Sequence, residues 1–281
     1  MEDEAEWRRL NRANWDETVP FHLGPGSDYG FAALRAGNKR LPIVDDELGP
    51  IAGLRLLHLQ CHIGVDTLAL VQRGADVVGL DFSAPAVAAA TDLAAELGLS
   101  ARSRFVQADL YDAPAALAAP ASFDRVFATW GTTIWLPDIR GWAKVVVHFL
   151  KPGGVFYFAD VHPLALAFDD STAGADGWPG FWAPYFGRAP LVITDPHDYA
   201  DSDARLENAT THQWIHPIGD VVSALIEAGL RLDWLHEHDA ITWRMFACQA
   251  KGADGLYRWP DKPWLPLAYS LRATALWNVF G

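Results

Sequence analysis

Two residues are placed so that backbone and side chain together could hold a sugar. Asp81 ends an apolar run, Asp76 to Leu80, and Gly64 closes a tight turn, Gln60-Cys61-His62-Ile63-Gly64, behind another run, Leu54 to Leu59. An ionised carboxylate only accepts hydrogen bonds, so Asp81 suits the two hydroxyls of a ribose, and a glycine in the turn lets backbone come close to a ligand. A nucleoside is the expected guest. A pyrophosphate fits poorly, because dinucleotide sites spend three glycines in this turn and here the bulky Gln60, Cys61 and His62 fill the approach. A second cluster, His236, His238 and Asp239, has metal-ligand chemistry, but alternate residues on a strand make only two ligands on one face, and a third must come from elsewhere. No metal site is read from it.

Those residues need a scaffold that brings several strand ends to one edge. The runs on either side of a short helix, Thr67 to Gln72, make a strand, helix, strand unit, and parallel strands put their carboxyl ends together where the next helix presents free N–H groups. Ser83 caps a second helix with Val87, Ala90, Ala94 and Leu97 on one face, and Gly98 stops it. A third strand, Arg104 to Ala108, ends in Asp109-Leu110. The fourth, Phe123 to Thr129, leads into Trp130-Gly131-Thr132-Thr133 at the same edge. Pro137 starts a helix with Trp142, Val145, Val146 and Phe149 on one side, and the fifth strand, Val155 to Val161, is followed directly by His162. This succession predicts an α/β fold with a Rossmann-like doubly wound sheet.

The strings Leu-His-Leu-Gln-Cys-His-Ile-Gly-Val-Asp-Thr (57 to 67) and Val-Val-Gly-Leu-Asp-Phe-Ser (77 to 83), with Leu-Lys-Pro-Gly-Gly (150 to 154) before the fifth strand, resemble the class I S-adenosylmethionine (SAM) dependent methyltransferases. The likeness is to a bacterial branch with a variant first motif: His58 takes its acidic place, Gln60 and His62 its first two glycine places, Gly64 the third. It covers residues 54 to 161, with Asp124 in a place the family often fills with Asp. The resemblance implies SAM as cofactor, a seven-stranded sheet, mostly parallel with an antiparallel last strand, and an adenine amino group read by Asp109. The cofactor wall would comprise Gln60, Cys61, His62, Gly64, Asp81, Phe82, Ala108, Asp109, Leu110, Thr129 and Trp130. Methyl transfer from a sulfonium needs an aligned acceptor and no water, with a base only when the acceptor arrives protonated. His162, with Asp160 to orient it, is the expected base.

The remaining chain frames that core. Residues 1 to 50 are expected to form an N-terminal helical cap, with a helix over 4 to 18 ended by Pro20 and a turn-rich segment from His22 to Gly30. Residues 51 to 161 form the SAM-binding core, 162 to 216 an aromatic lid, and 217 to 281 the rest of the sheet. The lid region is crowded with Gly, Pro and aromatics, as binding loops often are. A helix over 218 to 228 should bury Ile218, Val221, Val222, Leu225 and Ile226, and strands over 230 to 235 and 264 to 274 close the sheet. An apolar or aromatic acceptor would meet Trp15, Tyr29, Trp135, Trp182, Tyr185, His216 and His236.

With 22 Lys and Arg against 35 Asp and Glu, the net charge of -13 opposes the counterion release that nucleic-acid binding relies on. A small-molecule acceptor is expected instead, with at most a second copy of the chain as partner in a homodimer. No apolar run approaches the ~20 residues of a membrane span, and the acidic start lacks a signal-peptide pattern, so a cytoplasmic protein without membrane association is expected. Two cysteines, Cys61 and Cys248, make no disulfide framework. Two other readings keep the scaffold: an NAD-dependent oxidoreductase, and a SAM-binding protein that does no catalysis.

Overall fold

The computed structural model describes residues 5–27, 29–201 and 203–276. Glu4, the expected first residue of the N-terminal helix, and Asp28 in the turn-rich segment lie outside them. Helix α1 (Glu6–His22) keeps Pro20 inside its last turn. A proline ring already holds a helical φ, so the helix gives up a donor and continues past the expected stop. Then α2 (Phe31–Arg35) and α3 (Val44–Glu47) lead into the core.

There strands and helices alternate: β1 (Arg55–Leu59), α4 (Val65–Gln72), β2 (Asp76–Asp81), α5 (Ala84–Glu96), β3 (Ser103–Gln107), α6 (Ala113–Leu117), β4 (Phe123–Thr129), α7 (Ile139–Phe149) and β5 (Leu150–Val161). Ser83 caps α5, its hydroxyl accepting from the Ala86 N–H at 3.3 Å. β5 begins five residues earlier than expected, because Leu150 already pairs with Phe123 before the register shifts at Arg125 and Val155.

Residues 162–216 carry two short antiparallel pairs, β6 (Phe168–Asp169) with β7 (Gly180–Phe181) and β8 (Leu191–Thr194) with β9 (Thr210–Gln213). After α8 (Ile218–Glu227) and β10 (Leu230–His238) come β11 (Ala240–Ile241), β12 (Ala250–Lys251) and β13 (Tyr257–Arg258) in a small sheet, and last β14 (Ala268–Ala275). β14 starts later than the sequence suggests, since Pro263 and Pro266 have no N–H to give a ladder.

The main sheet has seven strands in the order β10-β14-β5-β4-β1-β2-β3, with β14 antiparallel to both of its neighbours. β1 to β5 pair in parallel, so their carboxyl ends share one edge. Alternate residues divide between two cores: Leu57, Val126, Trp142, Phe156 and Phe158 on one face, Leu56, Phe127, Tyr157 and Leu68 on the other. On α8 the buried stripe is Val221, Ala224 and Leu225, whereas Ile226 is 53% exposed. One helical step from Leu225 swings it about 100° off that stripe. Among the described residues no helix is long and apolar enough to cross a membrane.

Candidate functional site

The turn after β1 adopts positive φ at Gln60 (54°), His62 (50°) and Gly64 (73°), the three places the resembling family fills with glycine. The backbone shape survives although two side chains have been added. Each non-glycine residue in this conformation costs roughly 1–2 kcal/mol. Trp130, just past β4, is a third at φ 59°. Strain of this kind is retained where function or surrounding contacts demand it. Here the contacts are visible: Cys61 N–H donates to Leu80 O at 3.0 Å, Gly64 N–H to Cys61 O at 3.0 Å, and the Gln60 amide to Thr132 O at 3.0 Å. Burial, then the Asp81 charge, pushes the Cys61 thiol well above its ordinary range, so Cys61 serves packing.

Asp81 is buried at the tip of β2 and accepts from His62 N–H at 2.8 Å and Ser83 N–H at 3.0 Å. Burial outweighs these bonds and pushes the carboxyl up to about 6, which leaves it mostly ionised at neutral pH. Each oxygen keeps a lone pair for a further donor. Gln60 Oε1, in the turn after β1, is a buried acceptor without a hydrogen-bond partner. A carboxylate with spare acceptor capacity and an unmatched amide oxygen fit a ligand that offers a ribose diol and an ammonium group, as SAM does. His58, in the family's acidic place, is instead a buried imidazole bonded to Thr67 Oγ1 at 2.7 Å, and burial lowers it to about 3.

Asp109, past β3, accepts from Tyr111 N–H at 2.9 Å and faces Arg8 Nε of α1 at 3.1 Å. Burial raises its carboxyl and Arg8 lowers it. Ala108 N–H donates to Asp81 O at 2.9 Å and joins the two tips. Phe82 and Ala108 are half-buried there, and Leu110 and Thr129 are buried.

Asp160 does not touch His162. Its oxygens instead accept from Gly131 N–H (2.5 Å), Thr132 N–H (3.2 Å), Thr133 N–H (3.1 Å), Thr133 Oγ1 (2.9 Å) and Val161 N–H (2.8 Å). It pins the loop that carries Trp130 and Gln60's partner. A carboxylate so close to three consecutive N–H groups satisfies them rather than a side chain beyond. His162 Nδ1 accepts from Leu164 N–H at 3.1 Å, and Nε2, which makes no well-aligned hydrogen bond, lies 3.0 Å from a Glu237 carboxylate oxygen.

Trp15 meets His62 and Trp135 edge-on, with ring centroids 5.0 and 5.3 Å away. Tyr29 is bonded to Tyr199 and lies beside His22. These side chains gather over the β1 turn. The other acceptor candidates have separate partners: His216 Nε2 donates to Leu136 O at 2.7 Å, Tyr185 OH accepts from Ile218 N–H at 3.1 Å, and Trp182 is 40% exposed. His236 stacks on Trp234 and bonds Glu47 at 2.8 Å. Arg8, Asp198 and Tyr199 were not singled out in the sequence, and no spacing signal could have found them: His22 and Asp198 are 176 residues apart in the chain.

Comparison with known proteins places this geometry. A family model described as a methyltransferase domain matches residues 56–154. Residues 56–154 thus carry a methyltransferase domain. A sterol 24-C-methyltransferase of Aspergillus fumigatus is 33% identical over 162 residues, 54% of this chain and 42% of that protein. A ubiquinone biosynthesis O-methyltransferase of Ralstonia nicotianae is 30% identical over 129 residues, 45% of this chain and 51% of that one. The chain thus spans about half or less of the curated relatives it matches. A crystal structure of a SAM-dependent methyltransferase from Mesorhizobium loti shares the fold with a TM-score of 0.55 at 21% identity, over 89% of this chain and 100% of that one.

Proposed function

We propose that this methyltransferase domain is catalytic: it binds SAM at the tips of β1 to β4 and moves its methyl group to a small organic acceptor. The observation that carries the reading is Asp81, a buried carboxylate with spare lone pairs beside a turn that keeps the glycine-like backbone at Gln60, His62 and Gly64. Asp81 would bind the ribose, Asp109 the adenine, and the Gln60 amide oxygen the methionine ammonium. The bound sulfonium supplies an activated methyl group. The chain's part is to align the acceptor and exclude water.

The curated relatives named above act on a sterol and in ubiquinone biosynthesis, which supports a small-molecule acceptor here. Trp15, Tyr29 and Trp135 offer it flat apolar walls beside the β1 turn. We assign residues 162 to 216 to covering it. A hydride-transfer reading is not favoured, because Gln60 and His62 occupy the space a pyrophosphate needs. The test is turnover: incubation with SAM and a panel of phenols, amines, thiols and prenyl compounds, read by mass spectrometry as S-adenosylhomocysteine (SAH) together with a methylated product. Absence of any product across the panel, with SAH bound, would support a SAM-binding protein without catalysis.

A further inference from the structure

Over the β1 turn a hydrogen-bonded chain joins three distant segments. His62 Nε2 is 2.7 Å from His22 Nδ1, and His22 Nε2 is 3.0 Å from an Asp198 carboxylate oxygen. His22 and Asp198 are buried, at 0% and 5% exposure, so this bond is shielded from water. With His22 neutral, the carboxylate favours its proton on Nε2; its Nδ1 then accepts, and His62 donates from Nε2. His62 Nδ1 is then left with a lone pair, and no hydrogen bond engages it among the described residues. Tyr29 OH lies farther from His22 Nδ1, at 3.4 Å, and leaves the imidazole pair intact.

We propose that Asp198, His22 and His62 form a proton relay, in which His62 Nδ1 takes the proton of a hydroxyl or amine acceptor and the charge comes to rest on His22 against Asp198. This rests on the methyl-transfer reading and narrows its acceptor to one that carries O–H or N–H. The acceptor's bond to hydrogen breaks, its electron pair stays on the oxygen or nitrogen, and the proton joins the Nδ1 lone pair. His62 then passes its Nε2 proton to His22 Nδ1, which leaves His62 neutral and His22 a cation beside a buried carboxylate. One imidazole spends a residue on a strained backbone place where glycine would sit at ease, and the relay is what that placement gains.

His162 is not equipped for this task, since Leu164 N–H occupies its Nδ1 and Glu237 faces its Nε2. The other titratable groups around the pair are Tyr29 and Tyr199 on the His22 side, and Asp81, whose carboxylate holds the His62 N–H. Because Asp198 belongs to the cover and His22 to α1, the relay is assembled only when both sit on the core.

Imidazole nitrogen NMR on the full chain tests it without turnover. The expected result is His62 protonated on Nε2 and bare on Nδ1, with Asp198→Asn disturbing that tautomer; Nδ1–H on His62, or no response to Asp198→Asn, overturns the relay. In turnover, His62→Gly restores glycine at a glycine-like φ, so the turn persists. It should lower kcat on a phenol or amine about 10²–10⁴-fold and respond to added imidazole, as loss of a general base does. Unchanged kcat also overturns it. SAH binding separates the two readings: if the wild type does not bind SAH, the methyltransferase reading fails first; if it binds and the tautomer is wrong, only the relay fails.

Discussion

Replacing Asp160 by Asn changes one oxygen into an amide and nothing in shape. If Oδ1 is kept, Gly131 and Val161 N–H retain their acceptor, while the new amide faces the N–H groups of Thr132 and Thr133, which lose theirs. A buried donor left without a partner costs about 1–3 kcal/mol, so two of them set a range of about 2–6 kcal/mol. The carboxylate itself is under strain of burial, which raises its pKa, and exchanging it for a neutral amide returns part of that. A net loss of about 2–4 kcal/mol remains. At roughly 2–4 °C per kcal/mol for a chain of this size, the thermal midpoint should fall by about 4–16 °C. Circular dichroism melts read the loss. An Asp160→Asn protein melting within about 1 °C of wild type would refute the reasoning and return Asp160 to the merely orienting task the sequence suggested.

Asp81 predicts a pH dependence of defined sign. Its folded pKa of about 6 lies above the unfolded carboxylate, so its contribution to stability is full below about pH 4 and is lost as pH rises through 6. Ligand binding runs the other way, because ribose hydroxyls need the ionised form: calorimetry should find SAH affinity level above pH 6 and weakening by up to about tenfold for each unit below. Affinity independent of pH across that range contradicts the assignment. Gly64→Ala places a Cβ 2.7 Å from Ala90 Cβ and 2.8 Å from the Phe105 ring, at φ 73°. Backbone strain and overpacking together should remove about 2–5 kcal/mol, read as a shifted urea midpoint; an unshifted midpoint would mean that the turn is far softer than its contacts suggest.

Much of the core was legible because its signals are local. Ser83, Gly98 and Gly74 punctuate the chain, and apolar runs such as Leu56 to Leu59 are long enough to be strands only if buried on both faces. The alternation of strands and helices then leaves one edge for Asp81 and Asp109. What sequence could not supply was the set of partners. Asp160 and His162 are two residues apart and read as a pair, yet β5 ends at Val161 between them, and their side chains find Thr133 and Glu237 instead. His236 sits near the sheet edge in sequence order, but α3 intervenes with Glu47. The link from His22 to Asp198 arises from how α1 packs on β9 and the loop before it, where Asn11 bonds His212 and Asn14 bonds Asn208, contacts that no periodicity encodes.

The central claim is that the β1 and β2 tips hold an adenosine sulfonium through Asp81. Titration calorimetry of the full chain with SAH at neutral pH, beside Asp81→Asn, tests it directly. Wild type should bind, and removal of the charged acceptor, worth about 1.5–3 kcal/mol, should weaken binding roughly 10- to 150-fold without unfolding the protein. No heat of binding for wild type at millimolar SAH, or equal affinity for the two proteins, would contradict it.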